Sequence, residues 1–110
     1  MRRLPAPLRT LLTLLPPLPP REGPLPEVLP AIGPRRARVA LFTGCVNDAV
    51  FHHVNWATAR VLQHNGCEVW TPMEQGCCGA LHYHAGLAEP AARFAARNAE
   101  VFFKEKRHLD

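Results

Sequence analysis

The residues best equipped for chemistry in this 110-residue chain are its four cysteines, Cys45, Cys67, Cys77 and Cys78. A thiolate is a nucleophile, a redox-active group and a soft metal ligand. An even cysteine count in a secreted chain suggests disulfides. Adjacent Cys77 and Cys78 are poorly placed to bridge each other, and their separate bridges would have to leave in two directions. Clustered cysteines in a reducing compartment point to metal binding or catalysis instead. Just beyond the cysteine pair lie His82 and His84, two apart. They suit metal ligation, hydrogen bonding to sulfur or proton handling, and equally suit a solvated loop. His52 and His53 read as exposed helix residues, and His64 and His108 carry no signal.

The elements that must position these cysteines follow from local pattern. Residues 37–43 contain the apolar run Val39, Ala40, Leu41 and Phe42, as expected of a parallel strand covered on both faces. Residues 49–65 read as a helix capped by Asn47 or Asp48, with an apolar stripe of Phe51, Val54, Thr58, Val61 and Leu62 widened by Trp56 and Ala57. Gly66 suits the left-handed residue after it. Residues 67–71 read as a second strand, ended by Pro72. Strand, helix and strand with short connections form a βαβ unit with a right-handed crossover. A second helix is predicted over residues 88–107, with Pro90 in its first turn and Lys104, Lys106 and Arg107 at its C-terminal end. Its apolar stripe reads as Ala91, Phe94, Ala95, Ala99, Phe102 and Phe103.

This geometry brings Cys45, at the end of the first strand, to the same sheet edge as Cys77 and Cys78, in the loop after the second. Open α/β sheets bind ligands at that edge. Gly44, Gly76 and Gly79 permit close backbone approach to a bulky ligand, and a short helix starting after Cys78 would aim N–H groups at thiolates. Cys67 starts the second strand, on the order of 15 Å from the edge, and reads as a small buried hydrophobe. The three clustered cysteines lack a zinc-type Cys-x₂₋₄-Cys pair, which favours an iron–sulfur cluster over zinc. A cluster such as [4Fe–4S] takes four ligands, so a non-thiolate group or further sequence would complete the set.

The totals bound the rest. Ten of the 12 prolines fall in residues 1–34, which therefore read as a Pro-rich linker without regular sheet. Leucines at 8, 11, 12 and 15 make one apolar face of a short helical stretch within it. Residues 35–110 remain to build a core, a size that folds alone only marginally. The net charge of +4 is dispersed, and no alternation of basic and aromatic residues supports nucleic-acid binding. Arg2–Arg3 and the leucines after them resemble a secretory leader, but Pro5, Pro7, Pro16 and Pro17 break the run and no small-residue cleavage site follows. No apolar run reaches the roughly 18 residues of a transmembrane helix. The expected location is cytoplasmic.

The pattern Gly44-Cys45 followed by Cys77-Cys78-Gly79 resembles the CCG cysteine-rich domain family. That family occurs in heterodisulfide reductases, lactate-utilisation proteins and the glycolate oxidase iron–sulfur subunit. Residues 38–46 (Arg-Val-Ala-Leu-Phe-Thr-Gly-Cys-Val) and 75–86 (Gln-Gly-Cys-Cys-Gly-Ala-Leu-His-Tyr-His-Ala-Gly) are most similar to the last of these. The resemblance implies an α/β fold: a small two-stranded parallel sheet with flanking helices, a Rossmann-like half module after the linker. It implies that Cys45, Cys77 and Cys78 ligate an iron–sulfur cluster, expected to be [4Fe–4S]. It further implies an electron-transfer fragment of a glycolate or 2-hydroxy-acid oxidase complex, receiving electrons from a flavin subunit and sitting in the cytoplasm or peripherally at the inner face of the membrane. This chain lacks the family's ferredoxin-type cysteine run, a further cysteine element and a second CCG module. The resemblance thus implies a partial module with an incomplete ligand set, partnered by the missing halves of the subunit and inactive alone. Two alternatives stand beside it: a thiol–disulfide redox module like the reductase branch, and a zinc-bound or metal-free assembly module.

Overall fold

The structure, a computed structural model, describes residues 5–14, 20, 22–104 and 109. Its elements in chain order are α1 (Ala6–Thr13), β1 (Val28–Leu29), β2 (Ala37–Ala40), α2 (Cys45–Val50), α3 (His52–His64), β3 (Cys67–Trp70), α4 (Ala80–His84) and α5 (Ala88–Lys104). The fold is mixed α/β around one small open sheet in the order β1-β3-β2. The predicted parallel pair forms in register, with Val39 opposite Val69 and Ala40 opposite Trp70.

Both faces of that pair are covered, which is why its sequence is apolar throughout. Side chains alternate across a strand. Val39, Leu41 and Val69 pack on one face with Trp56, Ala59 and Leu62 of α3. Phe42 and Trp70 meet α5 on the other, their rings 5.9 and 5.7 Å from that of Phe102. Ala59 and Val69 are fully buried, so the helix sits close against the strand.

Three expectations are corrected. The sheet has three strands rather than two, because Val28–Leu29 pairs antiparallel with β3 from within the Pro-rich stretch. Proline removes a donor, yet a two-residue edge strand between Pro26 and Pro30 needs few, and this is where sheets tolerate proline. Leu25 and Leu29 join the core there. The segment is strapped across α3: the Gly23 carbonyl accepts from Trp56 Nε1 at 2.8 Å and from His52 Nε2 at 2.9 Å, and Gln63 Nε2 donates to the Pro30 carbonyl. His52 is thus a structural residue rather than an exposed one. Trp56→Phe keeps the ring contacts and removes one strap hydrogen bond. We expect it to lower the unfolding free energy by about 1 kcal/mol, read by urea denaturation with circular dichroism.

Second, the helix predicted over 49–65 is two helices, broken at Phe51 (φ −116°, ψ 35°). Asn47 and Asp48 do not cap it; the first helix already starts at Cys45. Of the face predicted as buried, Trp56 and Leu62 pack against the core, but Phe51, Val54 and Val61 are turned out and exposed. The buried residues of α3 are Asn55 and Ala59. Third, α5 buries Ala91, Asn98 and Val101, while Ala95, Ala99 and Phe103 are exposed. Gly66 is left-handed after α3, as expected (φ 81°). Leu15, Lys106, Arg107 and His108 lie outside the described residues. Among the described residues, no helix is long and apolar enough to cross a membrane.

Candidate functional site

The two cysteine-bearing loops leave the same edge of the parallel pair, as the crossover requires. Beyond β2 and β3 the ladder continues through Leu41 N–H to the Trp70 carbonyl at 2.8 Å. The amide of Gln75 then takes over from backbone. Its Nε2 donates to the Leu41 carbonyl at 3.2 Å and its Oε1 accepts from Thr43 N–H at 2.8 Å. Gln75 thereby ties the Gly44-Cys45 loop to the Cys77-Cys78 loop.

Two buried asparagines hold the loops from behind. Asn55 donates to the Thr43 carbonyl at 3.2 Å and to Asp48 at 3.3 Å, and accepts from Asn47 at 2.6 Å. Asn98 accepts from Gly76 N–H at 2.9 Å and donates to the Cys77 carbonyl at 2.8 Å. These needs explain the rotated helix faces: beside its apolar contacts, each helix turns an amide to the backbone it must satisfy. Sequence reading assigned no role to Asn55, Gln75 or Asn98. The signal that could have found the asparagines was a poor helix former in the middle of a helix whose neighbours are apolar.

Cys45 and Cys77 come together. Hydrogen bonding with the neighbouring Cys77, followed by desolvation, pushes the Cys45 thiol above its ordinary value of 9.0. Cys77 Sγ accepts from Gly79 N–H and Cys78 Sγ from Ala80 N–H, each at 3.4 Å. Cys78 is exposed and lines two clefts, one of about 390 Å³ with Tyr83 and His84 and one of about 460 Å³ with Phe42 and Phe102. Cys67 stands at the start of β3 opposite Ala37, at the far end of the strand from this loop.

The thiol pair has a consequence for reactivity. In the metal-free protein, Cys45 should alkylate slowly with iodoacetamide at pH 8, because only its thiolate attacks. In Cys77→Ala the restraining hydrogen bond is gone and alkylation of Cys45 should accelerate. Mass spectrometry of timed digests reads both rates, and equal rates would show that the thiol pair has no hold on the Cys45 proton.

The neighbouring residues divide. His84 shares a cleft with Cys78. His82 turns its ring to Phe94, 4.9 Å away, and its Nδ1 is buried with no hydrogen-bond partner among the described residues. Gly44 is left-handed (φ 69°) before Cys45, and a Cβ at Gly76 would meet nothing within 4 Å. At Gly79 the demand for glycine arises inside the chain, where a Cβ would meet the Ala91 carbonyl oxygen at 2.8 Å.

As a donor set, the site offers soft sulfur ligands with backbone N–H groups on two of them, which fits a thiolate-held iron–sulfur group in chemistry. It is not a closed cage: among the described residues, no three His, Cys, Asp or Glu side chains are grouped so as to hold a metal ion.

Comparison with known proteins bears on this arrangement. The sequence model of the CCG family, a cysteine-rich domain, matches residues 39–108. The chain is 42% identical over 104 residues to the probable glycolate oxidase iron–sulfur subunit of Bacillus subtilis, covering 93% of this chain and 23% of that protein. It is 44% identical over 64 residues to lactate utilization protein A of an Exiguobacterium strain, covering 58% and 26%. It is 35% identical over 68 residues to the glycolate oxidase iron–sulfur subunit of Escherichia coli, covering 62% and 17%. The chain thus spans about a quarter or less of the length of these curated relatives. No solved structure matches it.

Proposed function

The chain belongs to the CCG cysteine-rich domain family, and from that premise we propose that it is the cluster-binding part of an iron–sulfur electron-transfer subunit. The observation that carries this reading is that the Cys45 loop and the Cys77-Cys78 loop leave the same sheet edge, tied together by Gln75, with backbone N–H groups directed at the sulfurs of Cys77 and Cys78.

In this reading Cys45, Cys77 and Cys78 hold the cluster, of [4Fe–4S] type, and a ligand from further sequence completes the set. Such a cluster supplies one-electron transfer when bound. The chain's own residues do the positioning. Gln75 fixes the separation of the two loops, and Asn55 and Asn98 fix each loop to its helix. Gly79 and Ala80 N–H groups offset thiolate charge, and Gly44 and Gly76 leave room for a bulky group. His84 stands at the Cys78 cleft, where it suits hydrogen bonding near sulfur.

The relatives named as glycolate oxidase iron–sulfur subunits support the assembly in which this part works: an oxidase of glycolate or a similar 2-hydroxy acid. A flavin subunit would remove the electrons and this subunit would pass them to an acceptor, in the cytoplasm or at the inner face of the membrane. Residues 1–34 serve as the leading linker and 35–110 as the partial cysteine-rich domain, with 22–30 strapped onto it.

Anaerobic iron, acid-labile sulfide and zinc analysis of the purified chain, with its electron paramagnetic resonance spectrum, tests the reading. Iron with matching sulfide, lost in Cys77→Ser, is the expected result. Zinc without sulfide would assign the chain to the zinc-bound alternative and overturn the electron-transfer role.

A further inference from the structure

β3 lies between β1 and β2, so among the described residues β2 is paired on one side only. In the parallel ladder the bond to Trp70 is made by Leu41 N–H, the residue after Ala40. Backbone groups alternate along a strand, which turns the N–H and C=O of Ala40 to the open edge. Proteins ordinarily blunt such an edge with charge, proline, a bulge or a covering element. The Arg38 side chain of β2 reaches toward β3, its Nε 2.9 Å from Glu68. Beside the edge runs the largely apolar cleft of about 460 Å³ whose lining includes Ala40, Phe42, Cys78, Ala95, Ala99 and Phe102. Phe42 is 40% exposed within it.

Handedness identifies what fits there. α3 covers one face of the sheet and α5 the other. A right-handed crossover steps to one side when its helix is in front of the sheet and to the opposite side when the helix is behind. β2 steps through α3 to β3. A strand reached through α5 therefore steps back past β2, to its open edge, and runs parallel to it. The longer relatives contain the chain length for such a strand, since the 104 aligned residues are 23% of the Bacillus subtilis protein.

We infer that the open edge of β2 and the adjoining α5 cleft form a docking slot for one apolar strand parallel to β2, drawn from the sequence that lies outside the aligned region in those relatives. The sheet order becomes β1-β3-β2-strand. The reversal of strand order then falls beside Cys45 and Cys78, where α/β sheets open their ligand crevice.

The test needs no metal, so its result is independent of the electron-transfer reading. Synthetic peptides of about 15 residues, long enough for one strand with flanks, tile the Bacillus subtilis relative outside the aligned region. Each is titrated into the isotope-labelled 110-residue chain, with amide exchange followed by nuclear magnetic resonance and association state by sedimentation. One peptide should bind and slow exchange at Ala40 by roughly tenfold or more. Ala99→Glu, a surface change inside the cleft, should abolish that protection with an unchanged circular dichroism spectrum. The inference is overturned if no peptide protects Ala40, if protection survives Ala99→Glu, or if Ala40 is already protected by self-association of the chain.

Discussion

Replacing Asn98 with alanine should lower the unfolding free energy by about 3 kcal/mol, from the cost of leaving buried polar groups unpaired. Asn98 is 8% exposed and bonds both sides of the Gly76–Cys77 peptide. Alanine removes the acceptor for Gly76 N–H and the donor for the Cys77 carbonyl together. Helix packing nearby is hardly altered, because the residues beside it on α5 remain. A core of this size has only several kcal/mol in hand, so the loss is a large share of the total. Asn98→Asp should not rescue it: one oxygen still accepts from Gly76 N–H, but the other meets the Cys77 carbonyl oxygen, acceptor against acceptor. Urea denaturation by circular dichroism measures the free energy, and alkylation of Cys77 reports the loop. Both variants should lower the midpoint and speed alkylation. A wild-type midpoint in Asn98→Ala would mean that the loop is held by something other than this side chain.

The second large effect is expected at Gly79, where two penalties coincide. The residue is left-handed (φ 82°, ψ 0°), a conformation that costs an L-residue roughly 1–2 kcal/mol. The new Cβ would also stand 2.8 Å from the Ala91 carbonyl oxygen and 3.0 Å from Ala91 Cα. Those are backbone atoms of α5 and cannot swing aside, so α4 and α5 must separate. Gly79→Ala should therefore lose about 3 kcal/mol or more in all. Gly76→Ala, three residues earlier in the same loop, is the internal control. Beyond its chain neighbours, none of the described residues comes within 4 Å of its Cβ position, and its effect on the metal-free protein should stay within about 0.5 kcal/mol. Equal losses at the two glycines would contradict the packing argument. If Gly76→Ala is silent in stability yet lowers iron retention, the space at Gly76 belongs to the ligand.

Much of the site was readable from residue order, because its chemistry rests on cysteine type and its geometry on local pattern. The run Val39–Phe42 required a strand covered on both faces, and Gly66 and Pro72 bounded the next. The βαβ rule then carried Cys45 and Cys77, 32 positions apart, to one edge, and in the structure Gln75 ties their two loops together. Cys67 was separated from them by the length of its own strand. Family membership followed from the same motifs.

Residue order thus placed the Cys45 loop and the Cys77-Cys78 loop at one sheet edge, and packing in three dimensions decided the rest. Proline content argued against sheet in residues 1–34, but Leu25 and Leu29 had apolar surface to bury, and the edge beside β3 accepted a strand with few donors. Apolar periodicity put Phe51, Val54 and Val61 inward, whereas Asn55 and Asn98 took the inner positions. The reason is that periodicity counts only apolar transfer, while a loop held near a sheet edge has backbone groups that must find partners. An unpaired buried amide costs more than an exposed valine, so the helices turn to satisfy the loops that carry the cysteines.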